Sequence, residues 1–122
     1  MRKLFAFGAL LLLAACASTI PNQSPASRLF AIQADYTVLV AAGARYNELP
    51  RCERHGAPAL CSKASAVAEI RKADAIAAGA IGVAQEIVRT PGYDRVTASS
   101  AIAAALRAVT ALQSILATYD IK

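Results

Sequence analysis

The chain has 122 residues, room for one domain with a real core but not for two. Its formal charge of +5 is scattered along the sequence. No basic stripe interleaved with aromatics forms, which argues against nucleic-acid binding.

The chain opens with Arg2 and Lys3, continues with an apolar stretch from Leu4 to Leu13, and then reads Ala14, Ala15, Cys16. A short cationic start, an apolar core and small residues at a cut site make residues 1–15 a secretory signal peptide. As a helix the apolar stretch would span roughly 15 Å, half a bilayer, so a permanent membrane span is not expected. The tetrapeptide `LAAC`, residues 13–16, resembles the lipobox of bacterial lipoproteins. In that family the cysteine receives a diacylglyceryl group on sulfur and becomes the first residue of the mature chain, and an acyl chain such as palmitate follows on its amine. The resemblance implies Cys16 as the lipidation site and an envelope protein whose domain faces the periplasm. Two or three acyl chains hold firmly, at about 0.8 kcal/mol per buried CH₂. Ala17 follows the cysteine where the family's enterobacterial members use aspartate for inner-membrane retention, which implies the outer membrane. The plainer reading is an ordinary signal cut near Ala15, with Cys16 an unmodified thiol.

Removal of the first fifteen residues leaves 107, with 11 basic and 8 acidic side chains. A net charge near +3 supports weak attraction to anionic headgroups or cell-wall polymers, and no nucleic-acid partner. Phe30 is the one phenylalanine left, and alanine supplies much of the apolar content. Helices around such a thin core must approach closely to bury much area.

Residues 16–24 form the lipidated cysteine and a polar tether. Ser24-Pro25 then reads as an N-cap with proline at the first helical position. Leu29, Ile32, Tyr36, Leu39, Gly43 and Tyr46 recur at three- and four-residue steps, one face of a helix that Leu49-Pro50 ends. A second helix is expected after Ser62 and to about Arg89, with Val67, Ile70, Ala77, Ile81, Ala84 and Val88 as its stripe. Its middle, `ADAIAAGAIGVA`, carries one charge, Asp74, and two glycines, Gly79 and Gly82. Such a segment predicts burial on most sides, with the glycines offering flat surfaces to a neighbour; a self-association surface is the alternative. Pro91-Gly92 marks a turn. Asp94 caps a third helix carrying Ile102, Ala105, Val109, Leu112, Leu116 and Tyr119, widened by Leu106 and Ile115, with Arg107, Gln113 and Ser114 outward. The fold class is all-α, an antiparallel three-helix bundle over residues 25–122 with helices of roughly 22 to 27 residues.

The loop `PRCERHGAPALCS` carries Cys52, Cys61 and the single histidine, His55. With Cys16 lipidated, these cysteines form an even pair in an oxidising compartment, and a disulfide is expected. The alternative is a ligand- or metal-binding module using Cys52, His55 and Cys61, three ligands at a spacing unlike structural zinc sites. `CERH` lacks the second cysteine of a haem-attachment motif, and no cofactor is expected. No nucleophile elbow, phosphate loop or `HExxH` occurs, so the protein reads as non-enzymatic. Asp74, near an apolar face, is expected to pair with Arg71 one turn back. The terminal Lys122 resembles that of Braun-type lipoproteins, in which a C-terminal lysine is joined to peptidoglycan, but their long heptad array is missing. The stretch `YNELPRCERHG...LCSKASAVAEIRKAD` resembles small uncharacterised helical lipoproteins encoded near lysis genes in prophages, which implies a phage-related origin without specifying an activity. The reading is a membrane-anchored envelope protein with a structural or interaction role, toward a protein partner or the cell wall.

Overall fold

Ser24 opens the first helix by accepting the Ser27 amide on its hydroxyl at 3.2 Å, while Pro25 takes the first helical position, where a missing N–H costs nothing. The computed structural model describes residues 23–121; the expected signal segment, Cys16, most of the expected tether and Lys122 lie outside them. Three helices follow: α1 over Pro25–Glu48, α2 over Ala64–Arg89 and α3 over Arg95–Thr118. At the end of α1, Leu49 turns extended, with ψ 150°, as the following proline demands. Gly92 at φ 72° supplies the left-handed residue of the α2–α3 turn, a conformation glycine adopts without a Cβ clash. Asp94 then accepts both the amide and the hydroxyl of Thr97 at 2.7 Å, capping α3. Those two bonds hold its carboxyl below the usual carboxylate range.

The core clusters give the topology. Leu29 and Ile32 of α1 meet Ala77, Ile81 and Ala84 of α2 and Ile102, Ala105 and Val109 of α3. Further along, Tyr36, Leu39 and Tyr46 pack with Ile70, Ala73, Leu112 and Leu116. The start of α1 therefore lies beside the end of α2 and the start of α3: an antiparallel, up-down-up bundle with all three helices in mutual contact. The Tyr119 hydroxyl, donating to Glu69 at 3.0 Å, ties the end of α3 to the start of α2. One end of the bundle holds the start of α1 and the α2–α3 turn. The opposite end holds the α1–α2 loop and the close of α3.

The expected stripes are the buried ones, from Leu29, Ile32 and Gly43 on α1 to Ile102, Leu112 and Leu116 on α3. By length and composition α3 is apolar enough to cross a membrane. Here it packs against both other helices and supplies six buried residues, so the core accounts for its apolar face.

Two expectations fail. The middle of α2 is not buried on most sides: Ile76 and Val83 are more than half exposed, and Gly79 and Gly82 face open space. At 100° per residue these positions turn away from the stripe of Ile70, Ala77 and Ile81. The glycine that permits close approach is Gly43, where an added Cβ would stand 3.1 Å from a methyl of Ile70. Leu106, expected to widen the α3 stripe, is likewise exposed and not part of the core.

Candidate functional site

After Pro50 the chain must reverse and enter α2 within thirteen residues, and it does so around the two cysteines. The Ser62 amide donates to the Pro50 carbonyl at 2.8 Å, and the Cys52 amide donates to the Ser62 carbonyl at 3.0 Å. This pairs Arg51 with Ser62 as an isolated parallel bridge. The same pairing sets the Cα atoms of Cys52 and Cys61 5.0 Å apart, within disulfide range, and their sulfurs are joined.

Ser62 is completely buried. Its hydroxyl donates to the Leu49 carbonyl at 3.0 Å and accepts from the Arg51 guanidinium at 3.3 Å. A second guanidinium nitrogen of Arg51 donates to Asn47 at 3.2 Å. A buried hydroxyl without such partners would cost about 1–3 kcal/mol, so these bonds are what allow serine there. The loop and α1 also complete the start of α2, whose cap position, Lys63, uses no side chain of its own. The Tyr46 hydroxyl accepts the Lys63 amide, and the Glu53 carboxylate accepts the Ala64 amide, both at 2.9 Å. Chiefly through that bond, the Glu53 carboxyl is held below its usual range. Its negative charge sits where the helix dipole favours one.

This geometry bears on the three-ligand reading of Cys52, His55 and Cys61. Joined sulfurs are not thiolates, and His55 projects from the exposed tip of the loop. Among the described residues no cluster of three metal-binding side chains forms.

A second feature lies between α1 and α2, a cleft of about 150 Å³ walled by Leu39, Val40, Gly43, Val67 and Ile70. Asn47, Arg71 and Asp74 line its polar side. That volume accommodates a group about the size of a benzene ring. Asp74 departs from expectation: its partner is Tyr36 on α1, whose hydroxyl donates to it at 2.6 Å, rather than Arg71. Burial, then the hydrogen bond to Asp74 and that residue's charge, push the Tyr36 phenol up to about 12. The pair pins α1 to α2 and keeps a neutral phenol against a carboxylate.

Sequence reasoning found the two cysteines, placed Tyr36 and Tyr46 on an apolar stripe without their polar partners, and missed the roles of Ser62 and Glu53. Each acts across 11 residues or more, and a local reading of caps and stripes does not reach that far. Cys16 and Lys122 lie outside the described residues.

Two outcomes follow from this geometry. Reducing the Cys52–Cys61 bridge, which closes a loop of about ten residues, should lower stability by about 2–3 kcal/mol and leave helicity in place. Urea unfolding followed by circular dichroism checks this, and an unchanged midpoint would show that the cysteines do not staple the fold. The second outcome concerns pH. Below pH 10 folded and unfolded chains both hold the Tyr36 proton, so its contribution is fully present; as pH rises toward 12 the unfolded chain releases the proton first, and stability falls. In phenolate absorbance one tyrosine should titrate near pH 12 and vanish in Tyr36→Phe. A Tyr36→Phe variant with an intact late limb would contradict the bond to Asp74.

Compared with protein-family models, curated proteins and solved structures, the chain matches none.

Proposed function

We propose that the protein is a small non-enzymatic lipoprotein of the cell envelope, anchored in the outer membrane through lipid on Cys16. Its three-helix domain faces the periplasm in a structural or interaction role. The observation that carries this reading is an order of residues: Arg2 and Lys3, the apolar run to Leu13, `LAAC`, a polar tether, and then the Ser24-Pro25 helix start. The likeness of the chain's middle to prophage lipoproteins adds a phage-related origin.

The polar groups that the bundle gathers have structural roles. Ser62 and Arg51 hold the loop backbone, Glu53 and Tyr46 cap α2, and Tyr36 with Asp74 ties two helices. Each is taken up in holding the fold. A second reading, a ligand-binding module, has one observation in its favour, the apolar cleft between α1 and α2.

Replacing Cys16 with serine should move the mature domain from the membrane fraction to the soluble periplasmic fraction on cell fractionation. Membrane retention equal to that of the wild type would refute the lipid anchor.

A further inference from the structure

Among the described residues the two most exposed large apolar side chains are Val96, at 77%, and Phe30, at 73%. They lie on different helices, yet the up-down-up topology brings both to one end of the bundle. Phe30 is in the second turn of α1 and Val96 is the second residue of α3. This is the end from which the tether to Cys16 leaves. Arg28, Arg89 and Arg95 stand at the same end, all exposed. Of the carboxylates nearby, Asp94 spends an oxygen on capping Thr97, and Glu86 lies one turn back along α2.

We infer that this tether end rests on the bilayer surface, with Phe30 and Val96 entering the headgroup region and the three arginines meeting the phosphates of anionic lipid. The inference rests on the Cys16 anchor proposed above. The tether length then limits the orientation. Residues 17–24 reach at most about 25–30 Å when fully extended. The opposite end of α1 lies about 36 Å from its start, beyond that reach, so the bundle cannot stand upright with its disulfide loop on the membrane. Aromatic and aliphatic side chains flanked by arginine suit the interface, where the apolar part enters and the guanidinium stays wet. A single acyl-anchored point would leave the bundle free to swing; these contacts fix its tilt and hold the disulfide loop outward.

The chain has no tryptophan, so one placed at a chosen site reports alone. Phe30→Trp, Val96→Trp and Leu60→Trp serve, since Leu60 is 71% exposed on the disulfide loop at the far end. Each lipidated full-length variant, its adduct verified by mass, is placed in vesicles of phosphatidylcholine and phosphatidylglycerol with brominated acyl chains. Tryptophan at 30 and at 96 should shift to the blue and lose roughly half its emission, while tryptophan at 60 should do neither. Equal quenching at all three sites, or none, in protein that still floats with the vesicles would overturn the orientation and leave the anchor standing. A blue shift at 30 that grows with protein density without quenching would place a second copy of the chain there, which also overturns it. Absence of the lipid adduct would remove both the anchor and the orientation.

Discussion

The bundle depends on how closely α2 and α3 approach through alanine. Ala66, Ala77 and Ala84 on α2 and Ala98 and Ala105 on α3 are completely buried, and these two helices share the most extensive contact in the fold. Small side chains let the helix axes come near, but each removes little apolar area from water, at roughly 25 cal/mol per Å². The larger buried residues between them, Ile102 and Leu112 above all, must then supply most of the apolar burial. Helix α1 joins this pair with only three buried residues, Leu29, Ile32 and Gly43. What it lacks in apolar contact it makes up in specific ties: the Tyr36–Asp74 bond, the Tyr46 hydroxyl on the start of α2, and the disulfide loop. A thin core thus explains why polar and covalent ties concentrate on the α1 side.

Much of this fold was legible in the sequence because helix period, caps and breakers are local. Ser24-Pro25, Leu49-Pro50, Pro91-Gly92 and Asp94 mark the three helices to within a residue or two of where they stand, and the stripes name the buried faces. What was not legible is which small residue makes contact. Gly79 and Gly82 sit in a twelve-residue stretch with one charge, Asp74, and read as contact points. They face outward because Ala77, Ile81 and Ala84 take the inward side of the same turns. Gly43 lay on a recognised stripe, yet only the position of Ile70 across the interface makes it a close contact. The same limit governs polar partners. Arg71 is near Asp74 in sequence, but Tyr36, 38 residues away, is its partner in space.

The loop shows how a recognised motif can understate its structure. Two cysteines in a chain read as exported imply a bridge, but not a buried serine hydrogen-bonded to Leu49 and Arg51, nor a carboxylate that caps the following helix. Those contacts give the end of the bundle opposite the tether a fixed shape. In the proposed function this matters for recognition: a stapled loop presents one conformation to whatever lies beyond the membrane, at little entropic cost on binding.

The central claim, that close alanine contact between α2 and α3 sets the core, is tested most directly by enlarging one alanine inside the contact and one outside. Ala105 is completely buried and Ala111 is exposed, on the same helix. Urea midpoints of Ala105→Leu and Ala111→Leu, read by circular dichroism, should separate. Overpacking at 105 should cost about 1–3 kcal/mol, and the change at 111 should stay within about 0.5 kcal/mol of the wild type. If Ala105→Leu unfolds no earlier than Ala111→Leu, the helices are not held at alanine distance and the account of the core is wrong.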